Sequence, residues 1–182
     1  VAKTERLTPL SKKITFEVPT NLASAYQFKS GQYVSLELTI DGNKIRRSYS
    51  ICSPSSEKNF FSIGVKQIEG GYGSAHLNQL VNEGQSIEVS TPEGNFLLPE
   101  LSNAAQYVFV AGGSGITPIL SMIYELLTHT TAPVYLKYST LTQEETMFYA
   151  ELTALKAQYS QFSLDILHTN GENLLNEINL AE

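Results

Sequence analysis

Gln106-Tyr107-Val108-Phe109-Val110-Ala111 runs without a break into Gly112-Gly113-Ser114-Gly115-Ile116-Thr117-Pro118. An apolar run of this kind reads as a strand of a parallel sheet, buried on both faces. The residues that follow carry Ile119, Met122, Ile123, Leu126 and Leu127 at helical spacing, one apolar stripe on one face. Thr117 suits the N-cap of that helix and Pro118 its first position. Strand, glycine-rich turn and helix N-terminus together make a cradle for a dinucleotide pyrophosphate, because free N–H groups and the positive end of the helix dipole face the phosphates. The glycine spacing departs from G-x-G-x-x-G, so the turn alone is a general phosphate signal.

Beyond this stretch the pattern repeats. Residues 134–138 form an apolar strand, and Thr142-Gln143-Glu144-Glu145 reads as a capping box for a helix with Met147, Phe148, Leu152, Leu155 and Tyr159 inward. Residues 162–168 are a third strand, and residues 172–181 begin a further amphipathic segment. Strands alternating with helices imply a parallel α/β sheet. His168, His76 and His129 show no metal-ligand spacing.

Before it the texture is β. Residues 14–18, 33–40, 60–67 and 85–90 alternate or cluster as short strands separated by Gly, Pro and Asp turns, which predicts a closed antiparallel barrel. After an Asp41-Gly42-Asn43 turn comes Arg46-Arg47-Ser48-Tyr49-Ser50-Ile51-Cys52-Ser53, the second strand of a hairpin. Alternation puts Arg47 and Tyr49 on one face and Ser48 and Ser50 on the other. A guanidinium beside an aromatic ring suits a ligand that is part anion, part flat ring. The same residues also suit an exposed strand whose Arg and Tyr merely pack and solvate. One helix interrupts the β pattern: Ser74 caps a run with Leu77, Leu80 and Val81 inward, and Gly84 stops it. Gly70-Gly71-Tyr72-Gly73 leads into it, either a plain turn or, paired with Arg47, half of a divided phosphate site. Thr91-Pro92-Glu93-Gly94-Asn95-Phe96 turns the chain at the end of this half, and Phe96 either closes the barrel end, the plainer reading, or covers a ligand.

The 182 residues carry 42% hydrophobic and 16% charged side chains, enough for a real core. A net charge of −6 with no basic patch argues against broad nucleic-acid binding. A single cysteine, Cys52, excludes an internal disulfide and a four-cysteine cluster within these residues. No apolar run approaches a membrane span and no signal-peptide pattern opens the sequence, so the cytoplasm is the expected compartment.

In this order the motifs resemble the ferredoxin–NADP reductase superfamily over nearly the whole chain. Arg47-Ser48-Tyr49-Ser50 is similar to its flavin motif, Gly71-Tyr72-Gly73-Ser74 to its second phosphate loop, residues 92–96 to its barrel-closing turn, and residues 111–118 to its nicotinamide loop. Phe28-Lys29-Ser30-Gly31-Gln32-Tyr33, with the hairpin, resembles oxygenase reductase components of the phenylacetyl-CoA epoxidase type. The resemblance implies an antiparallel Greek-key β-barrel binding FAD over residues 1–101, then a partial Rossmann-like parallel α/β domain binding NAD(P)H over residues 102–182. It implies that Tyr49 stacks on the isoalloxazine, Arg47 binds the pyrophosphate, Ser48 lies within the motif, and Ser50 sits near the reactive ring nitrogen, Tyr49 and Ser50 being the catalytic pair. Gly71, Gly73 and Ser74 hold phosphate, while Val65 and Lys66 approach the ribityl and adenosine side. Gly112, Gly113, Ser114, Gly115, Thr117 and Pro118 take the nicotinamide nucleotide.

The implied activity is hydride transfer from NAD(P)H to FAD, then single electrons to an iron–sulfur acceptor in an oxygenase system, with any [2Fe-2S] cluster on a partner or an absent domain. Two departures stand out. The family commonly has Gly where this chain has Ser139 and a basic residue near Leu141, and its later Cys-Gly-Pro segment does not occur in these residues. Leu141, Glu144 and Glu145 in place of a cation favour NADH. The 182 residues are expected to be a fragment of a longer reductase. The alternative is a flavin or nucleotide module, regulatory or electron-conducting, without a complete nicotinamide site; more remote is an interaction protein with no cofactor.

Overall fold

The computed structural model describes residues 1–99 and 104–170. The expected domain boundary at 101/102 and the segment 172–181 lie outside the described residues. The first half contains β1 (Lys3–Thr8), β2 (Ser11–Glu17), β3 (Tyr33–Ile40), β4 (Asn43–Ser50), β5 (Phe60–Lys66), helix α1 (Tyr72–Gln79) and the two-residue β6 (Glu88–Val89). The second contains β7 (Tyr107–Gly112), α2 (Ile116–His129), β8 (Val134–Thr140), α3 (Tyr149–Gln158) and β9 (Phe162–His168).

Two antiparallel sheets, ordered β1-β2-β5 and β4-β3-β6, share one core. The period-2 apolar positions face it: Ile14 and Phe16 from β2, Val34, Leu36 and Leu38 from β3, Phe61, Ile63 and Val65 from β5. The β3–β4 hairpin turns through Asp41 (φ 51) and Gly42 (φ 77), both left-handed, which matches the twist of the flanking strands. Strand β1, which carries no clean alternation, pairs with β2 and was not legible as a strand.

The closed barrel expected from the sequence does not form. The sheets meet at the isolated Ile51–Ile63 bridge, and on the other side the chain between α1 and β6 runs as turns. Of residues 85–90, only Glu88 and Val89 join a ladder, opposite Glu37 and Leu36. The chain passes here through the left-handed Gly84 (φ +85) within a polar run, and among the described residues no strand pairs with the outer edge of β1. Single contacts span that side instead, such as Thr4 N–H to Glu83 Oε1 at 2.9 Å and Gly84 N–H to Val1 O at 2.9 Å. A cavity of about 410 Å³ lined by Phe16, Leu22, Tyr26 and Ile87, among others, remains in the open side. Leu80 is 59% exposed and does not join the core, and Phe96 is 61% exposed, so of its two readings the closing of the core fails.

In the second half β7, β8 and β9 form a parallel sheet in that order, as expected. The α2 stripe is buried, with Ile119, Met122, Ile123, Leu126 and Leu127 all inward, and Leu152 and Leu155 anchor α3. Strand β7, however, is not covered on both faces. Val108 and Val110 are 55% and 45% exposed beside Tyr135, because α2 packs on the Tyr107–Ala111 face only. The capping box also fails: α3 starts at Tyr149, after a left-handed Phe148 (φ 61), and the Thr142 carbonyl instead accepts from the hydroxyls of Thr140 and Thr146. Met147 and Phe148 are buried all the same, from the loop rather than from the helix.

The two halves meet at a polar and apolar seam. A Cβ built on Gly64 of β5 would stand 2.7 Å from Thr117 Cγ2 and 2.8 Å from Phe148 Cζ, so the second half packs against bare backbone. Lys13 Nζ pairs with Glu151 at 3.1 Å, Tyr124 donates to the same carboxylate, and Lys66 Nζ pairs with Glu145 at 3.1 Å. The Ser121 hydroxyl donates to Ser53 O at 2.8 Å.

Candidate flavin and nucleotide sites

The hairpin register sets Arg47 opposite Leu36 and Tyr49 opposite Val34. Both side chains therefore lie on the core-side face of β4, as their spacing required. Since β4 is an edge strand, that face is reached from outside: Arg47 is exposed and Tyr49 half-buried against the core. Burial raises the Tyr49 phenol pKa, and the neighbouring Arg47 guanidinium works against that rise. Ser48 lies on the other face, its hydroxyl 3.0 Å from that of Ser35. Ser50, half-buried, stands opposite Tyr33 at the end of the strand.

Helix α1 begins three residues earlier than its sequence suggests. Gly71 is the N-cap, with no side-chain cap, and Ser74 lies inside the first turn. The Ser74 hydroxyl donates to Gly71 O at 3.1 Å and accepts from Ile68 N–H at 3.2 Å, sealing the turn beneath the helix. Gly70 is left-handed (φ +69), and a Cβ on Gly71 would stand 2.4 Å from Ile68 Cγ1, so the turn closes only with glycine at 71. The first helical bond runs from Ala75 N–H to Gly71 O at 2.9 Å. The N–H groups of Tyr72, Gly73 and Ser74 thus precede the ladder and point out of the helix end.

Arg47 lies against this end: a Cβ built on Gly73 would stand 3.1 Å from Arg47 Cγ and 3.8 Å from its Nε. Its guanidinium donates to Arg46 O at 2.8 Å and has no carboxylate within ion-pair distance among the described residues, whereas Arg46 pairs with Glu93 at 3.2 Å. A cation without an anion and three outward N–H groups share one corner. The chemistry of that donor set fits a pyrophosphate, with the Tyr49 ring on the same face for a flat ring system.

Val65 is fully buried, and its carbonyl accepts from Asn78 Nδ2 at 3.2 Å. Lys66 is held by Glu145.

At the head of β7, Gly112 ends the strand and Gly113 is left-handed (φ +49). A Cβ on Gly112, Gly113 or Gly115 would meet nothing within 4 Å, so the loop is open to a ligand along its length. Helix α2 starts at Ile116 after a 3-10 turn over Gly113–Gly115. Thr117 is therefore not the cap and Pro118 not the first residue: Thr117 is buried, its hydroxyl donating to Ser114 O at 2.9 Å, and Pro118 sits in the first turn, where a missing N–H costs no ladder bond. Tyr138 OH donates to Gly113 O at 2.9 Å and braces the loop from below. Beside Gly112 in the ladder stands Ser139, whose buried hydroxyl has no hydrogen-bond partner among the described residues.

Sequence reasoning passed over Gly64, although an isolated glycine inside a strand pattern signals close approach of another backbone or side chain. It also passed over the Lys13–Glu151–Tyr124 cluster, which no local pattern marks. No group of His, Cys, Asp and Glu among the described residues could hold a metal ion.

The oxidoreductase FAD-binding domain family matches residues 1–97, and the oxidoreductase NAD-binding domain family matches residues 109–176. The chain belongs to the ferredoxin–NADP reductase-like oxidoreductases. It carries that family's FAD-binding and NAD-binding domains and resembles oxygenase reductase components. One of the subunits of 1,2-phenylacetyl-CoA epoxidase from Escherichia coli is 39% identical over 163 residues, which are 88% of this chain and 46% of that protein. The glycine betaine monooxygenase reductase subunit of Pseudomonas aeruginosa is 36% identical over 77% of this chain and 38% of its own length. This reductase-like chain thus spans less than half of either relative. Among solved structures, phthalate dioxygenase reductase superposes with a TM-score of 0.78 and 29% identity over 94% of this chain and 51% of its own.

Proposed function

We propose that this chain is the flavin- and nicotinamide-binding part of a reductase in which hydride passes from NAD(P)H to FAD and single electrons pass on to a ferredoxin-type iron–sulfur partner of an oxygenase. The observation that carries the reading is Arg47, with no carboxylate partner among the described residues, lying against the α1 N-terminus at Gly73. Arg47 and the N–H groups of Gly73 and Ser74 hold the flavin pyrophosphate, with Gly71 allowing the turn to close. Tyr49 stacks on the isoalloxazine, and the Ser50 hydroxyl holds a hydrogen bond at the ring-nitrogen edge; Ser48 stays in its cross-strand bond. Val65 supports this corner from the core, and Lys66 reaches its adenosine side only as far as its pair with Glu145 allows. Gly112, Gly113, Ser114 and Gly115 cradle the nicotinamide coenzyme. Thr117 and Pro118 lie nearest its ring, since Thr117 stands at the seam facing β5.

The working division is residues 1–101 for FAD and 102–182 for the coenzyme, in the cytoplasm, with NADH preferred and the iron–sulfur centre on another chain or domain. The uncovered Val108–Val110 face of β7 favours a second reading, a flavin-holding electron-transfer or regulatory module with an incomplete nicotinamide site. One experiment separates them. The purified chain is expected to be yellow, with flavin absorbance that bleaches anaerobically on adding NADH. Bound flavin that NADH and NADPH leave oxidised would favour the second reading, and failure of the apoprotein to take up flavin would sink both.

A further inference from the structure

Three elements meet on the carboxylate of Glu151 in α3. Lys13 of β2 donates to both of its oxygens, at 3.1 and 3.2 Å, and the Tyr124 hydroxyl of α2 donates to Oε1. The Lys13 and Glu151 side chains are 17% and 25% exposed, so solvent and salt screen this pair little. Lys13 Nζ also stands 5.9 Å from the centroid of the buried Phe148 ring, which reaches the bare backbone of Gly64 in β5. Tyr124 is the last of three residues at i, i+4 and i+7 that set one face of α2 on the first half. Thr117 sits over Gly64, Ser121 donates to Ser53 O at 2.8 Å, and Tyr124 reaches Lys13 through Glu151. Apolar contact is non-directional and lets two surfaces slide, whereas these bonds have preferred angles and fix an orientation.

We infer that Glu151 is a positioning residue for hydride transfer: by clamping α2 and α3 to Lys13, it sets the angle at which the coenzyme half faces the flavin half. The inference rests on the hydride-transfer reading above. Helix α2 follows directly on the Gly112–Gly115 loop, so a swing of α2 about the Gly64–Thr117 contact would carry that loop with it. Tyr124 lies seven residues beyond Thr117, about 10 Å along the helix, which gives the clamp a lever arm on that contact. Hydride transfer needs the reacting atoms about 3–3.5 Å apart, and a remote change that misplaces them by about 1 Å lowers the rate about a hundredfold. Glu151 belongs to neither proposed cofactor site. Its loss therefore leaves both binding steps intact and alters only how the two sites face each other.

The test uses the 182-residue chain reconstituted with FAD, as wild type, Glu151→Ala, Lys13→Met and the double variant. Each single variant is expected to lower the limiting rate of anaerobic flavin reduction by NADH about ten- to a hundredfold. Flavin content and the NADH concentration at half-saturation are expected to stay at their wild-type values. The double variant is expected to lose no more than Glu151→Ala alone, because both changes remove one contact. A second readout needs no coenzyme. Nitroxides are placed by Thr39→Cys and Ala157→Cys, exposed positions in the two halves, Cys52 being too buried to label. Their dipolar distance distribution is expected to be narrow in the otherwise wild-type chain and to broaden with Glu151→Ala. An unchanged distribution, or an unchanged limiting rate in Glu151→Ala, would overturn the inference. So would rate losses that multiply in the double variant, or a slow rate accounted for by lost flavin or weaker NADH binding. A wild-type chain that NADH leaves oxidised, with a distribution that still broadens in Glu151→Ala, would remove the hydride-transfer reading and keep the clamp.

Discussion

Gly64 and Thr117 meet across the seam of the two halves, with a Cβ on Gly64 standing 2.7 Å from the Thr117 methyl. The hydrogen side chain of one strand residue lets the start of α2 sit directly on β5. The glycine-rich nucleotide loop precedes that start, so this contact sets how close the two proposed cofactor sites lie.

Gly64→Ala should therefore destabilise the chain by about 1–3 kcal/mol, as forcing a methyl into a packed site does. Gly115→Ala is the control, since a Cβ there meets nothing within 4 Å and Gly115 has φ −62. Its urea midpoint should stay near wild type. Equal midpoints for Gly64→Ala and wild type would show that the seam gives way.

Arg47→Ala should purify with less FAD than Arg46→Ala. Loss of one charge-assisted contact to phosphate costs about 1.5–3 kcal/mol, roughly ten- to a hundredfold in affinity. Arg46 faces the other way and pairs with Glu93. Bound flavin is measured per mole of protein, with thermal melts matched. Equal retention in both variants would move the phosphate site elsewhere.

Cys52 is wholly buried, its thiol donating to Ser62 O at 3.3 Å, and burial pushes its pKa up to about 12, against a smaller pull from Lys13. The unfolded thiol ionises near pH 8.5. The folded state thus holds its proton longer, so this contribution is complete below about pH 8.5 and is lost as pH rises from there towards about 12. Tyr124 adds in the same sense: burial first, then its bond to Glu151, raises its pKa. The urea midpoint should fall from pH 8 to 10.5, less steeply in Cys52→Ala, and the native thiol should resist a thiol reagent at pH 8. Rapid labelling of folded protein would contradict this burial.

Between Ser139 and Glu145 there is no cation to meet a 2′-phosphate. Glu144, held below the usual carboxylate range by its own backbone N–H and by the Thr142 hydroxyl, stays anionic at neutral pH. NAD⁺ should therefore bind more tightly than NADP⁺, and the difference should narrow in Glu144→Gln. The two dissociation constants, measured on the same preparation at fixed salt, decide it. A tighter NADP⁺ complex would place the 2′-phosphate against another group.

Local pattern alone determined much of this protein. Alternation in β3 and β5, the left-handed pair Asp41-Gly42 and the α2 stripe each specify their element with short-range chemistry, and the order of the motifs points to the family. Arg47 and Tyr49 were legible as a pair because period-2 geometry needs no tertiary partner. Other features depended on what each segment packs against. Whether residues 85–90 close a barrel depends on a strand roughly eighty residues earlier, and the chain enters them through the left-handed Gly84. The exposure of Val108 and Val110 follows from which face α2 covers, which their apolarity does not encode. Helix starts slipped by several residues because backbone turns at Gly71, Gly115 and Phe148 took the place of the side-chain caps that Ser74, Thr117 and Thr142 advertise. The approach of Arg47 to Gly73 and of Thr117 to Gly64 joins residues far apart in the chain, and only the packed structure brings each pair together.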